Sequence, residues 1–191
     1  MPFVIITVGK THSGKTTFGK ELAKKLKDKC ILLDSDVLTD FLKDNFPGLY
    51  QGDWVKKTNK LLSPGYYLKR VVLLEIYKQA LKTNLLIIST SSNSKEVLRH
   101  QTRSLAERAG RKFIIIYFNL PEKVLLNRIK HSNRSKNCLI YSKNFTDLLV
   151  NRQTKHFEAP KAKEADFFFE INNDKSRKNV KLKILKLLRQ K

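Results

Sequence analysis

The stretch FVIITVGKTHSGKTTFGKEL, residues 3–22, constrains this chain more than any other. Six mostly apolar residues run into Gly9; a second glycine follows five positions later, and then Lys15 and Thr16. Gly9-Lys10-Thr11-His12-Ser13-Gly14-Lys15-Thr16 fits the spacing G-x-x-x-x-G-K-[ST], with a strand pattern before it and an amphipathic helix pattern after it. Glycine admits backbone angles and close approaches that a β-carbon forbids. Successive N–H groups can then point into the turn and cradle a phosphate. The following helix adds unpaired N–H groups and the positive end of its dipole. Gly9, Thr11, Ser13, Gly14, Lys15, Thr16 and Thr17 are the expected ATP contacts, with Lys15 against the β- and γ-phosphates. Thr16 would offer its hydroxyl to a Mg²⁺ ion that keeps several waters. His12 counts among the same nucleotide-binding residues, although its ring has two places to go, the phosphate site or solvent, and solvent is preferred.

The rest of the chain alternates strand and helix patterns, which predicts an α/β fold with a five-stranded, mostly parallel sheet covered on both faces. Strands are expected at 3–8, 30–33, 85–89, 112–118 and 167–171, each a short run of apolar or β-branched residues. Helices are expected at 15–28, 66–82 (mostly apolar and buried), 94–109 and 121–129, with a last one at 180–188. The 191 residues suit a single domain, 1–191, with one sizeable core. The least regular interior stretch is 45–63, which carries Tyr50 and Trp54. Those aromatics suit core packing better than base stacking.

The second strand ends in Asp34-Ser35-Asp36 at the carboxyl edge of the expected sheet, where ligands sit in open α/β folds. Alternation points the two carboxylates differently. Asp34 is the expected metal-side residue. Asp36 is the expected catalytic, substrate-binding residue, orienting an acceptor hydroxyl or taking its proton. A competing role for Ser35 or Asp36 is to cap the helix that follows.

Charge separates this chain from most globular domains. Thirty-nine Lys and Arg face 17 Asp and Glu, a net charge of +22, which draws polyanions to the surface. Lysine-rich composition alone is the plainer source of that charge. From Lys123 to Thr146 there is no acid, whereas Arg128 and Arg134 are both present. Arginines on a closing segment, a lid at about 128–143, would stabilise the charge of a phosphoryl group in transfer. No apolar run approaches the roughly 20 residues of a membrane span. With no leader-like N-terminus and only Cys30 and Cys138 as thiols, a cytoplasmic location is expected.

The loop, followed by LLDSD, resembles the small P-loop kinases grouped with zeta toxins, polynucleotide 5′-kinases, adenylylsulfate kinases and seryl-tRNA kinases. SSNSKEVLRHQTRSLAERAG, IIIYFNLPEKVLLNRIKHSNRS and HFEAPKAKEADFFFEINND are similar to later segments of that group. The resemblance implies a P-loop kinase fold, with Arg99 on substrate or phosphate. It also implies Arg128 and Arg134 as catalytic lid arginines, Arg128 contacting nucleotide as well, and Asn172 and Asn173 near adenine. One departure stands out. After the third strand the group often has an acid, whereas this chain has Thr90 and Ser91.

The expected activity is therefore transfer of the γ-phosphate of ATP to a hydroxyl, with Mg²⁺ as cofactor. The favoured acceptor is on a nucleic acid. A small-molecule acceptor and a non-catalytic nucleotide-dependent module are the alternatives.

Overall fold

β1 (Phe3–Gly9) is buried at all seven positions, which only a central strand flanked and covered on both sides achieves. It pairs with β3 (Leu86–Thr90) on one side and β4 (Lys112–Phe118) on the other. β2 (Cys30–Asp34) lies outside β3, and β5 (Phe167–Ile171) lies outside β4. The order is β2-β3-β1-β4-β5, and every pair is parallel. The computed structural model describes residues 2–50, 64–136, 138–139 and 142–189.

Period-two alternation splits the core in two. Phe3 and Ile5 of β1 meet Phe18 and Leu22 of α1 (Lys15–Leu26), together with Val180 and Ile184 of the last helix. Val4, Ile6 and Val8 face Tyr77 and Ala80 of α3 (Pro64–Leu81) and Leu105 and Ala106 of α4 (Glu96–Arg108). α2 (Ser35–Asn45) follows β2 directly and packs on α3.

The remaining helices bring the second half of the chain to the same edge of the sheet. α5 (Glu122–Lys130) starts after Pro121 and carries Arg128 in its last turn. A helical run over 145–156, here α6, consists of an α-turn (Phe145–Asp147), a π-helical segment (Leu148–Gln153) and a second α-turn (Thr154–His156). α7 (Asp174–Arg189) closes the described chain.

The sheet matches expectation and is parallel throughout rather than mostly so. The helices need three corrections. α7 begins six residues before the expected 180, because Asn173 caps it: its Oδ1 accepts from the Ser176 amide at 2.8 Å. α3 buries Gly65, Tyr77 and Ala80 but leaves Tyr67, Val71, Leu74 and Ile76 exposed, so its apolar composition does not make it a core helix. α6 was not foreseen at all. Trp54 falls outside the described residues. Tyr50 donates to the Gly65 carbonyl at 2.8 Å and packs against that glycine, the structural role preferred for it. No described helix is long and apolar enough to cross a membrane.

Candidate active site

The loop between β1 and α1 has the conformation its sequence requires. Gly14 sits at φ 94°, in the left-handed region that glycine occupies without strain. A β-carbon on Gly9 would come within 2.9 Å of Phe118 Cβ, so the loop can leave the sheet only through a glycine. No side chain caps α1, and its first-turn amides stay available to an anion. Lys15 Nζ curls back to donate to the Lys10 carbonyl at 2.6 Å and to Ser13 Oγ at 3.3 Å, so its ammonium sits at the mouth of the nest. Burial pulls its pKa down to about 8; Arg134 pushes the same way, while Asp36 and Asp34 oppose the shift.

His12 does not face solvent. Its backbone is left-handed (φ 57°), and its ring is half-buried, edge-on to Phe145 with centroids 4.6 Å apart. Nδ1 lies 3.0 Å from Thr11 Oγ1, while Nε2 is buried without a hydrogen-bond partner. Burial, then Arg134, Lys15 and Arg128, lower its pKa to about 4, so the imidazole is neutral near pH 7. An orphaned ring nitrogen amid three cations is a fit for phosphate oxygens.

α6 holds the outer side of the loop, an arrangement sequence reasoning missed. Gln153 Oε1 accepts from the Thr11 amide at 2.6 Å, and Thr154 Oγ1 accepts from Lys10 Nζ at 3.1 Å. The usable signals were Asn144, whose side chain accepts from the Asp147 amide at 2.8 Å, and the i, i+4 pair Phe145 and Leu149. The π-helical segment then breaks the 3.6-residue phase by which a longer helix is recognised.

Arg128 reaches the loop from α5: Nη1 donates to the His12 and Ser13 carbonyls at 3.3 and 3.4 Å. A cavity of about 150 Å³ beside it is lined by Gly14, Thr17, Leu120, Arg128, Asn173 and Arg177. Of the two asparagines carried forward from the resemblance, Asn173 lines this cavity and Asn172 does not.

At the end of β2, Asp34 and not Ser35 or Asp36 caps α2: its Oδ1 accepts from the Asp36 amide at 3.0 Å. That releases the Asp36 carboxylate, which pairs instead with Arg134 from the segment after α5. Arg134 also stacks over Phe145, 5.1 Å from the ring centroid. Lys69 of α3 is a further cation at this end. Burial lowers its pKa, and Asp36, Cys138, Asp34 and Asp40 offset part of that. Asp40, one turn along α2, is shifted upward by burial and by Asp36 and Asp44.

One expectation, for Arg99, meets contrary geometry. Arg99 is 1% exposed, and its guanidinium is committed to structure. Nε and Nη2 fork onto Glu164 at 2.6 and 3.1 Å, and Nη1 donates to the Asn93 and Glu158 carbonyls. It braces α4 against the 158–164 turn and has no reach for a substrate. Thr90 is buried and donates to the Leu33 carbonyl at 3.4 Å, so the group replacing the missing acid serves the sheet; Ser91 Oγ takes a bond from Ser35 at 3.3 Å. Among the described residues, no three His, Cys, Asp or Glu side chains gather as a metal cluster. Mg²⁺ in phosphoryl transfer needs less, since water and phosphate oxygens fill most of its shell. The Thr16 hydroxyl at the start of α1 and Asp34 at the end of β2 are donors of the right kind.

Residues 4–160 match the sequence profile described as an AAA domain. The chain belongs to that family. No curated protein matches it by sequence. Among solved structures, it is similar to Kti12 from Chaetomium thermophilum in complex with ADP-AlF3, at 16% identity and a TM-score of 0.66, covering 96% of this chain and 97% of that one. It is similar to the Mycobacterium tuberculosis APS kinase CysC in complex with AMPPNP and APS, at 15% identity and TM-score 0.63, covering 98% and 97%. It is also similar to the shikimate kinase of Acinetobacter baumannii in complex with shikimate, at 22% identity and TM-score 0.56, covering 100% and 97%. The fold is that of the P-loop kinases.

Proposed function

We propose that the chain is an ATP-dependent phosphotransferase whose acceptor is a hydroxyl on a nucleic acid. One observation carries the transferase reading: an uncapped, glycine-shaped helix N-terminus with Lys15 at its mouth stands within electrostatic reach of Asp36, which holds Arg134. Phosphate cradle, candidate base and long-armed cation meet at one edge of the sheet. The net charge of +22 supports the choice of acceptor.

In this reading the loop amides and Lys15 bind the β- and γ-phosphates, and the neutral His12 ring adds a donor at Nε2. Arg128 and the cavity beside Asn173 take the nucleoside end. Thr16 and, through water, Asp34 would hold a Mg²⁺ ion, which would supply positive charge to the phosphate oxygens. Asp36 accepts the proton of the acceptor hydroxyl as its oxygen bonds to the γ-phosphorus. The bond from that phosphorus to the bridging oxygen breaks, and ADP leaves with the electron pair. Arg134 exchanges Asp36 for the γ-phosphate oxygens, where a planar guanidinium is most effective. The segment that carries it, up to about 143, serves as the lid.

A small-molecule acceptor is the second reading, favoured by the APS and shikimate bound in two of the similar structures. The deciding experiment follows labelled γ-phosphate from Mg²⁺-ATP into 5′-OH RNA and DNA oligonucleotides, bulk tRNA and pooled nucleotide sugars, with Asp36→Asn alongside. Label on nucleic acid that vanishes in the variant supports the proposal. Label on a small molecule replaces it with the second reading. Tight ATP binding with no transfer points to a regulatory module.

A further inference from the structure

The two faces of the sheet carry very different charge. On one, α1 with the 3₁₀ turn Lys27–Lys29 and α7 together hold 13 lysines and arginines against three acids, Glu21, Asp28 and Asp174. On the other, α3 and α4 hold six against three. The second face settles its own acids: Glu75 pairs with Lys78 at 3.6 Å, Glu107 with Arg103 at 2.6 Å, and Glu96 lies 4.0 Å from Lys161. The first face cannot. Glu21 is already shared by Arg177 and Lys181, at 2.7 and 2.9 Å, and the remaining positive charge has too few acids to meet.

That same sharing fixes the geometry. Glu21 on α1 clamps two residues of α7, and both helices pack into one core cluster, so they lie side by side. Along α7, Lys175, Lys178, Lys186 and Arg189 recur at helical spacing and are all exposed. They span 15 residues, 14 steps of 1.5 Å or about 21 Å. Lys20 and Lys24 on α1 and Lys27 in the turn after it make a shorter exposed row, about 10 Å long. The long row on α7, with the shorter one beside it, matches a run of regularly spaced phosphates. An anionic bilayer fits less well. Surface-binding helices add a broad apolar face to insert, and here the α7 row is interrupted by a single exposed apolar residue, Leu182.

We propose that the α1–α7 face is a docking surface for the phosphate backbone of a nucleic acid, read without base specificity and separate from the transfer site. It supplies a location for the acceptor polymer of the proposed function, yet binding here needs neither ATP nor turnover, so the two ideas fail separately.

The test is fluorescence anisotropy with a labelled 20-nucleotide RNA of mixed sequence, without ATP, across a salt series. One variant replaces Lys20, Lys24, Lys178 and Lys186 with Gln. A charge-matched control replaces Arg70, Lys78, Lys82 and Arg108 on the opposite face. Circular dichroism and ATP affinity report folding in both, and anionic vesicles (phosphatidylcholine with phosphatidylserine) run in parallel. The expected result is binding whose log–log salt slope falls by about 3 in the first variant, at roughly 0.7 for each single-strand phosphate that is no longer neutralised. The control should change by less than one. Equal weakening in the two variants would reduce the effect to net charge and overturn the proposal. So would absence of RNA binding, or vesicle binding with the same sensitivity in place of it.

Discussion

α1 and α2 begin at the same edge of the sheet and begin in opposite ways. α1 starts from a left-handed glycine with no side-chain cap, leaving its amides to an incoming anion. α2 starts from Asp34, whose carboxylate fills the cap, and one turn carries both Asp34 and Asp36. The first terminus is positive and waiting; the second is already loaded with negative charge. Phosphoryl transfer needs both, a cradle for the donor phosphates and a carboxylate for the hydroxyl, and placing them on successive βα units gives each its own dipole. The contrast teaches that a helix start can receive an anion only when its cap is withheld.

The comparison breaks most severely at Lys15. Lys15→Ala should remove transfer altogether and raise the Kd for ATP by at least tenfold, read by isothermal titration; normal turnover in that variant would falsify the loop assignment. Asp36→Asn tests the other terminus. It should lower kcat by about 10²–10⁴-fold while leaving ATP affinity near wild type, since general-base effects have that size. Loss of ATP binding in this variant would mean that the two termini are not separable.

A pH series sharpens the electrostatic half of the contrast. Lys15 has a pKa of about 8 in the free protein, so it is a cation below that value and progressively neutral above it. Bound phosphate favours the cation and raises the pKa of the complex. ATP affinity should therefore be flat below about pH 7.5 and weaken up to tenfold per unit above 8, until the complex itself titrates. His12, neutral from about pH 5 upward, should contribute no inflection near 6.5. The smallest effect is at the α2 cap: Asp34→Ala should cost about 1 kcal/mol of stability in urea melts. No loss there would place the cap elsewhere.

The legibility of this molecule follows the range of its interactions. Strands announce themselves through local apolar runs, and the phosphate loop through a local spacing, so β1 to β5 and Gly9–Thr16 could be read directly. Asp36 was recognisable by its place after β2, but not its partner: Arg134 is 98 residues away, and nothing local selects it over Arg128 or Lys136. Arg99 shows the converse error. An exposed arginine and a buried one look alike in sequence, and only Glu164, 65 residues on, shows that this one is structural. Gln153 was invisible for a third reason. Its segment is π-helical, and the periodicity that reveals a helix fails where the turn widens.

The placement of β1 bears on how the chain acquires its activity. This strand is made before both of its neighbours yet sits between them in the sheet, the partners beginning at residues 86 and 112. Its loop is held from behind by Gln153 and roofed by Arg128, both made later still. Such non-local pairing is slow to nucleate and cooperative when it forms. A nascent chain therefore carries the phosphate-binding sequence well before it has a phosphate-binding site, and nucleotide becomes a ligand only once β4, Arg128 and Gln153 are in place.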